Sequence, residues 1–473
     1  MNVQITMLSK TIRAYLFIGL TSYLIIFLYW LNSINYYNIL NTTVFLSYAY
    51  LLWICVNKED EFFNSRRLWL TVFVYSMVFV SLFLLLSYYY TGNTFLFSYV
   101  DAKIYERLSF RMKDMGLSEA INYISHWIYD DWGAPMSMAF ILKIVPSKLF
   151  LNFCYVLMNT VTALLMYDMG KMFDMSKKYA YMAALSFSIA SYSMFMMGTF
   201  MKEETLILLI VFSMWCLYKY RDSSQQVYLI VGGFASLLII FFRVPLALFV
   251  WLSYAALLLL GDGSHLKKGM FALLGVVVSV LVLGFWQYSV NRYANEGNVS
   301  TSLTYTSTSL FQKLTGYVSI LIGPFPTLYH ITGSQLKYGA LLGAGVLFKF
   351  LLFLPYWKGL VYCVRSRTSA LYPMYVFTLM SMIGLIVVLR IDFRFAMTSM
   401  PMFMLAAFWY MDRYDTDADE SVMATPYYYW TNLELKVSLC IVFVVTVAWN
   451  VLVRTQSTES ILMEHLQLSW PEF

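Results

Sequence analysis

Charged residues are scarce in this sequence. Only 12% of the 473 residues are Asp, Glu, Lys or Arg, whereas 60% are hydrophobic, and the mean hydropathy is +0.65. Soluble domains carry about 25% charged residues, so this composition excludes an ordinary soluble protein. The net charge of +6 requires no nucleic-acid partner, because the cytoplasmic loops of membrane proteins are normally rich in Lys and Arg.

Residues that commonly carry catalysis or bind metals are also few. The five cysteines are odd in number and show no CxxC spacing, which indicates packing residues rather than disulfides or metal ligands. The four histidines are dispersed, at His126, His265, His330 and His465. No HExxH, GxSxG, P-loop or GxGxxG motif occurs in a credible context. The sequence therefore offers no evidence for a zinc site, a serine hydrolase or nucleotide hydrolysis.

Long apolar runs fill most of the chain. Runs of about 17–25 residues can cross a ~30 Å hydrocarbon core as helices. They predict an all-α, polytopic transmembrane bundle that forms one integral membrane domain over residues 1–473. The expected spans, about 13 in number, are 14–32, 38–55, 68–90, 149–169, 179–198, 205–219, 226–242, 244–260, 269–288, 338–357, 370–389, 395–411 and 436–453.

The distribution of Lys and Arg predicts the orientation. The turn at 33–37 lacks both residues, whereas the stretch 56–67, after the second expected span, contains one Lys and two Arg. Because cytoplasmic loops are enriched in Lys and Arg, the N-terminus is expected to be cytoplasmic. Counting spans from there places two long loops, 91–147 and 289–336, on the outer side.

The first outer loop, 91–147, concentrates charge in a chain that has little. Mixed apolar and charged spacing predicts a helix over 102–116 that lies on the membrane interface. A second amphipathic helix is expected over 118–129, with Ser118 as its N-cap. The apolar piece 135–147 is too short to span comfortably and is expected to be re-entrant or buried.

Several expected outer turns carry cations although short outer loops should be poor in them. These cations suggest an anionic ligand such as a lipid-linked phosphate or diphosphate; the alternative is that each simply caps its span. The residues concerned are Lys202, Arg243, Arg390 and Arg394. Glu203 and Glu204 begin an expected span, where carboxylates suit the helix dipole.

Asp101 is the best candidate for acid–base chemistry, because it lies just after the transition from apolar to polar sequence. Partial desolvation near the membrane surface favours a useful carboxyl pKa. Tyr105 follows one helical turn later, and both residues are expected to face one cavity. The alternative for Asp101 is a helix cap. Asp130 and Asp131 could bind a metal or sugar hydroxyls, or form a solvated turn.

These motifs resemble those of a known superfamily. Asp101-x-x-x-Tyr105 in an early outer loop, amphipathic helices, and Trp-Gly-x-Pro at 132–135 are similar to the GT-C superfamily of polyprenyl-phosphate-sugar-dependent membrane glycosyltransferases. That superfamily includes protein mannosyltransferase-like and aminoarabinose transferase-like enzymes. The Lys202-Glu203 start of an expected span resembles related bacterial surface-polysaccharide proteins, and the Arg390–Arg394 turn, with Pro401 behind it, is similar as well.

The resemblance implies that Asp101 activates an acceptor hydroxyl while basic residues hold the lipid phosphate. The implied substrate-binding residues are Tyr105, Lys202, Glu203, Arg243, Arg390 and Arg394. The expected partners are a lipid-linked sugar donor, a glycan, lipid or protein acceptor, and the membrane, which is expected to be a bacterial inner membrane. A divalent cation is possible. The alternatives are a repeat-unit polymerase or ligase that uses a lipid diphosphate, and a lipid-linked oligosaccharide flippase or other transporter.

Overall fold

The computed structural model describes residues 60–91, 100–125, 132–260, 337–366, 369–388 and 397–419, with residues 12–13, 49–53 and a few positions from 437 to 444. This part of the chain is helical and contains no strand, which confirms the all-α class. The helices are α1 (Ser65–Thr91), α2 (Val100–Met112), α3 (Leu117–Ser125), α4 (Gly133–Ile144), α5 (Lys148–Met172), α6 (Lys177–Ser188), α7 (Ser191–Gly198), α8 (Glu203–Ser223), α9 (Gln226–Leu238), α10 (Val244–Leu260), α11 (Lys337–Ser366), α12 (Tyr372–Val388) and α13 (Met400–Asp419).

Two of the described helices are long and apolar enough to cross a membrane, judged by length and composition alone. They are Ser65–Leu85 and Lys148–Met172. Shorter apolar helices cover Gly133–Ile144, Gln226–Phe241 and Val244–Leu257. The expected number of about 13 spans, the second outer loop at 289–336 and the orientation in a membrane therefore stay predictions.

The core lies around α6 and the first half of α13. Every residue from 179 to 188 is buried, as is every residue from 400 to 411. These two helices pack against each other, α5 packs on α6, and α11 packs on α13. Such all-round burial is typical of helices whose surface is apolar on every face.

The expected span over 179–198 divides into two helices. α6 ends at Ser188 and α7 begins at Ser191. The carbonyl groups at the break are satisfied by side chains: Asn159 of α5 donates to the Ser188 carbonyl oxygen at 2.8 Å, and Ser193 Oγ donates to that of Phe187 at 3.0 Å. A polar side chain from a neighbouring helix thus replaces the missing intrahelical partner, and local sequence does not reveal this.

Helices α2, α3 and α4 occupy the first long loop. α2 and α3 correspond to the two amphipathic helices expected there, and they share a small apolar cluster with α4 that includes Leu108, Ile124 and Ala139. The expected cap at Ser118 is wrong, because α3 begins at Leu117 and the Ala120 N–H donates to the Gly116 carbonyl oxygen. The cap position therefore falls at residue 116. Positions 126–131, including the Asp130–Asp131 pair, lie outside the described residues.

Side-chain contacts define the helix directions. α5 and α8 run parallel, because Thr205 Oγ1 near the start of α8 lies 3.5 Å from Met158 Sδ in the middle of α5, and Arg221 donates to the Met172 carbonyl oxygen near the ends of both helices. We call the bundle end that contains Glu203, Arg243 and the turn Met397–Ser399 the Glu203 end. The opposite end, which contains Ser176 and Asp412, is the Asp412 end. In the predicted topology, the first faces outward and the second faces the cytoplasm.

Candidate functional site

The candidate site lies at the start of α8. Phe200, three residues before Glu203, has a φ of 54°, and this left-handed conformation is uncommon outside glycine. The chain reverses there between α7 and α8. Glu203 and Glu204 form the first turn of α8, where the unpaired N–H groups of a helix favour negative charge. The start of α8 thus agrees with the sequence expectation to within two residues.

The charged residues at this position are buried. Lys202 is 4% exposed, and Glu203 and Glu204 are completely enclosed. Arg243, which precedes α10, donates from Nη2 to Glu203 Oε1 at 3.3 Å. Burying an ion pair costs desolvation free energy that the attraction between the partners must offset. The structure therefore brings together three predicted site residues, Lys202, Glu203 and Arg243, although Arg243 is 40 positions away from Glu203 in the chain.

Glu204 differs from its neighbour. Neither of its carboxylate oxygens has a hydrogen-bond partner among the described residues. Burial of this carboxyl group disfavours its charged form. Sequence reasoning treated Glu204 as an ordinary residue of the first helical turn. No signal in the sequence distinguishes it from Glu203, because the two adjacent acids differ only in what packs against them.

The Trp-Gly-x-Pro stretch docks beside Arg243. The Trp132 ring packs edge-on against that of Phe241 at a centroid distance of 4.7 Å. At Gly133, a Cβ atom would lie 2.8 Å from both the Phe241 carbonyl oxygen and the Phe242 ring. A side chain would fit here only if the neighbouring Phe241 and Phe242 shifted, which explains the glycine. The first long loop therefore contacts the chain immediately before Arg243.

Helix α2 carries the predicted catalytic residue. Asp101 is the second residue of α2, and its side chain lies outside the described residues. Tyr105 is 3% exposed and belongs to the hydrophobic core, together with Ala102 and Met138. The Ser109 hydroxyl group lies within hydrogen-bond distance of the carbonyl oxygens of residues 105 and 135, which joins α2 to α4. Tyr105 thus packs in the core, and the expectation that it shares a cavity with Asp101 stays a prediction.

Two further predicted ligands, Arg390 and Arg394, lie outside the described residues. The turn Met397–Ser399, which begins three residues after Arg394, packs against α8. The described part of the chain contains no group of three or more His, Cys, Asp or Glu side chains that could hold a metal ion. The possible divalent cation therefore has no set of ligands among these residues.

A scan against models of known protein families finds no match to this chain, and no curated protein matches it. The resemblance to the GT-C superfamily therefore rests on the quoted motifs alone.

Proposed function

We propose that this chain is a multispanning membrane glycosyltransferase of the GT-C type. It transfers a sugar from a polyprenyl-phosphate-linked donor to a cell-surface glycan, lipid or protein on the outer face of a bacterial inner membrane. The N-terminus is cytoplasmic and the Glu203 end faces outward. The observation that carries this proposal is the docking of Trp132 and Gly133 on the corner before Arg243. This contact joins the loop that carries Asp101 to the buried cations.

The buried cations support an anionic ligand. Charged groups are costly inside a membrane protein, and those that persist commonly line substrate pathways. Arg243 already donates to one carboxylate oxygen, Glu203 Oε1. A phosphate oxygen is an equivalent acceptor for the planar guanidinium group, so the lipid phosphate takes the place of Glu203 when it binds. Lys202 supplies a second positive charge beside it.

The proposed reaction follows from this arrangement. The acceptor hydroxyl oxygen attacks the anomeric carbon of the sugar and forms the new glycosidic bond, while Asp101 takes up the hydroxyl proton. The bond between the anomeric carbon and the phosphate oxygen breaks, and its electron pair leaves with the polyprenyl phosphate. Lys202 and Arg243 stabilise the negative charge that develops on this leaving group. Arg390 and Arg394 contribute further positive charge in this proposal.

A second candidate function is a lipid-linked oligosaccharide flippase or another transporter. The enclosed Glu204 favours it, because carboxyl groups buried in membrane proteins are often part of proton relays. A polymerase or ligase that uses a lipid diphosphate would need the same cations as the transferase. Binding of the lipid phosphate is therefore common to these candidates, and transfer of a sugar distinguishes the transferase from the transporter.

The first experiment measures lipid binding by native mass spectrometry of the full-length protein. Polyprenyl phosphate should be retained, whereas the polyprenol of equal length should not. Arg243→Lys should weaken retention, because lysine keeps the charge but loses the two-pronged donor. Arg111→Lys is the matched control, since Arg111 is exposed on α2 and donates to the Tyr123 hydroxyl group. Equal retention of the alcohol and the phosphate would contradict a phosphate site.

The second experiment measures transfer from synthetic polyprenyl-phosphate sugars to added acceptors. Asp101→Asn should lower turnover by about 10²–10⁴-fold, the usual contribution of general-base catalysis. Retention of polyprenyl phosphate should stay unchanged in this variant, because Asp101 does not hold the phosphate. Asp114→Asn is the control, since Asp114 is exposed on the loop after α2. Full activity of the Asp101→Asn protein would reduce Asp101 to a structural residue.

A further inference from the structure

The carboxyl group of Glu204 is buried, and the part of the chain that the structure describes offers it no hydrogen-bond donor. Its side chain is completely buried, and neither oxygen has a hydrogen-bond partner among the described residues. An ionised carboxylate in such surroundings loses its hydration without gaining hydrogen bonds from the described residues, so the neutral form is favoured. Glu203 is buried to the same extent but has Arg243 beside it.

Among the described residues, the groups around Glu204 do not include a cation paired with it. Glu203 and Lys202 precede it directly. Tyr155 of α5 lies within electrostatic range of both glutamates. Arg243 reaches this position from the corner before α10, where Glu203 accepts a hydrogen bond from its guanidinium group. Of the two cations described at this end, Arg243 is thus already paired with Glu203, and this limits the stabilisation that the described residues give to a second carboxylate.

The other elements that pack on α8 add little charge to this end. The turn Met397–Ser399 contributes the buried hydroxyl residues Thr398 and Ser399. Helices α7, α9 and α10 contain no Asp, Glu, Lys or Arg, and the first charged residue of α13 is Asp412, at the opposite end. Tyr228 and Tyr254 lie beside Trp215 and Ser213, farther along α8. The described surroundings of Glu204 therefore consist mainly of apolar groups and neutral hydroxyls.

A proton fits this position better than a metal ion. Metal ions in proteins are held by several oxygen, nitrogen or sulfur ligands. Only Glu203 joins Glu204 here, and no group of three His, Cys, Asp or Glu side chains occurs in the part of the chain that the structure describes. A single carboxyl group without donors is sufficient to bind a proton.

We propose that Glu204 is a proton-binding site, protonated at neutral pH in the arrangement described here, and that loss of this proton disfavours that arrangement. The proposal concerns the closed packing at the start of α8 and does not depend on sugar transfer. It predicts that any event that admits water or a cation to Glu204 is linked to proton release. Both a transferase and a transporter could use such a linkage.

Infrared spectroscopy tests the protonation state directly. The full-length protein, labelled with carbon-13 at glutamate carboxyl groups and reconstituted in lipid nanodiscs without added ligand, should show the carbonyl stretch of a protonated glutamic acid at neutral pH. The band should disappear in Glu204→Gln and persist in Glu119→Gln, because Glu119 is exposed on α3. The label separates glutamate from the buried Asp412. If the wild-type protein lacks the band, or Glu204→Gln retains it, the proposal is wrong.

The pH dependence of thermal unfolding gives a second readout. Because burial favours the neutral carboxyl group, the folded state keeps a proton that the unfolded chain releases at about pH 4.3. Wild-type stability should therefore fall relative to that of Glu204→Gln as the pH rises above about 4.3. Glu119→Gln should follow the wild type throughout. Parallel profiles for wild type and Glu204→Gln would overturn the proposal, whatever the result of lipid binding or transfer.

Discussion

Acidic residues at the two ends of the described bundle differ in their hydrogen-bond partners. At the Asp412 end, the Asp412 carboxylate accepts hydrogen bonds from the Ser176 N–H at 2.7 Å and the Ser176 hydroxyl at 2.8 Å. The Tyr179 hydroxyl group donates to Asp415. At the Glu203 end, Glu203 is paired with Arg243, but Glu204 has no hydrogen-bond partner among the described residues.

The carboxylates at the Asp412 end have a structural role, whereas packing alone does not explain the carboxyl group of Glu204. Asp412 of α13 lies beside the N-terminus of α6. There it accepts a hydrogen bond from a backbone N–H group that α6 cannot pair internally. Asp168, also toward the Asp412 end, accepts from Trp215 Nε1 at 2.8 Å and pairs with Lys219 at 3.0 Å. Glu204 satisfies no such group among the described residues. An unsatisfied buried carboxyl group lowers stability, so we attribute its presence to function.

The largest expected effect at the Glu203 end is that of Arg243→Ala. This change removes the described cation from beside a completely buried carboxylate, and breaking one side of a buried pair typically costs about 3–5 kcal/mol. The measurement is reversible unfolding in mixed micelles. Arg243→Met combined with Glu203→Gln should recover most of the loss, because no uncompensated charge is left. A single substitution that lowers stability by less than about 1 kcal/mol would mean that the pair is not buried as described.

A smaller loss of stability is expected when a substitution displaces the first long loop from Phe241 and Phe242, which precede Arg243. In Gly133→Ala, the new methyl group meets the Phe241 carbonyl oxygen and the Phe242 ring at 2.8 Å, and overpacking of this kind costs about 1–3 kcal/mol. Gly233→Ala is the matched control, because no atom lies within 4 Å of its added Cβ. The same unfolding assay measures both variants. Equal stability of the two proteins would show that the loop does not dock at this corner.

The smallest expected effect comes from the Asp412 end. Asp412→Ala removes both hydrogen bonds to Ser176 and should lower the free energy of unfolding by about 0.5–2 kcal/mol, as for the loss of a helix cap. Asp412→Asn keeps an acceptor oxygen and should cost less. Lipid binding should survive both changes, because this end lies opposite Arg243. Loss of polyprenyl phosphate retention in a folded Asp412→Asn protein would remove the functional distinction between the two ends.

Much of the helical architecture was predictable from apolar runs. The starts of α5, α8 and α10 lie within two residues of the expected spans. This agreement has a local cause, since a run of apolar residues satisfies its backbone hydrogen bonds within one helix. The break between α6 and α7 was not predictable in the same way, because the Asn159 side chain that satisfies it comes from another helix.

The candidate site was predictable only as a set of residue types. The positive-inside bias identified Lys202 and Arg243 as unusual, and the Trp-Gly-x-Pro stretch was recognised as a motif. Its docking on Phe241 could not be derived, because contacts between distant segments depend on how each helix is rotated and packed. The core position of Tyr105 could not be derived for the same reason, since helical spacing does not indicate which residues a face packs against.

The sequence by itself determined that this chain is helical, strongly apolar, and unusual in carrying charge at the ends of several apolar runs. Composition and periodicity are properties of neighbouring residues, and they determine secondary structure and where the charged residues lie along each helix. Only the tertiary structure decided that Glu203 pairs with Arg243 while Glu204 does not. The two acids are adjacent and chemically identical, and their difference arises because successive residues of a helix point in different directions toward different neighbours.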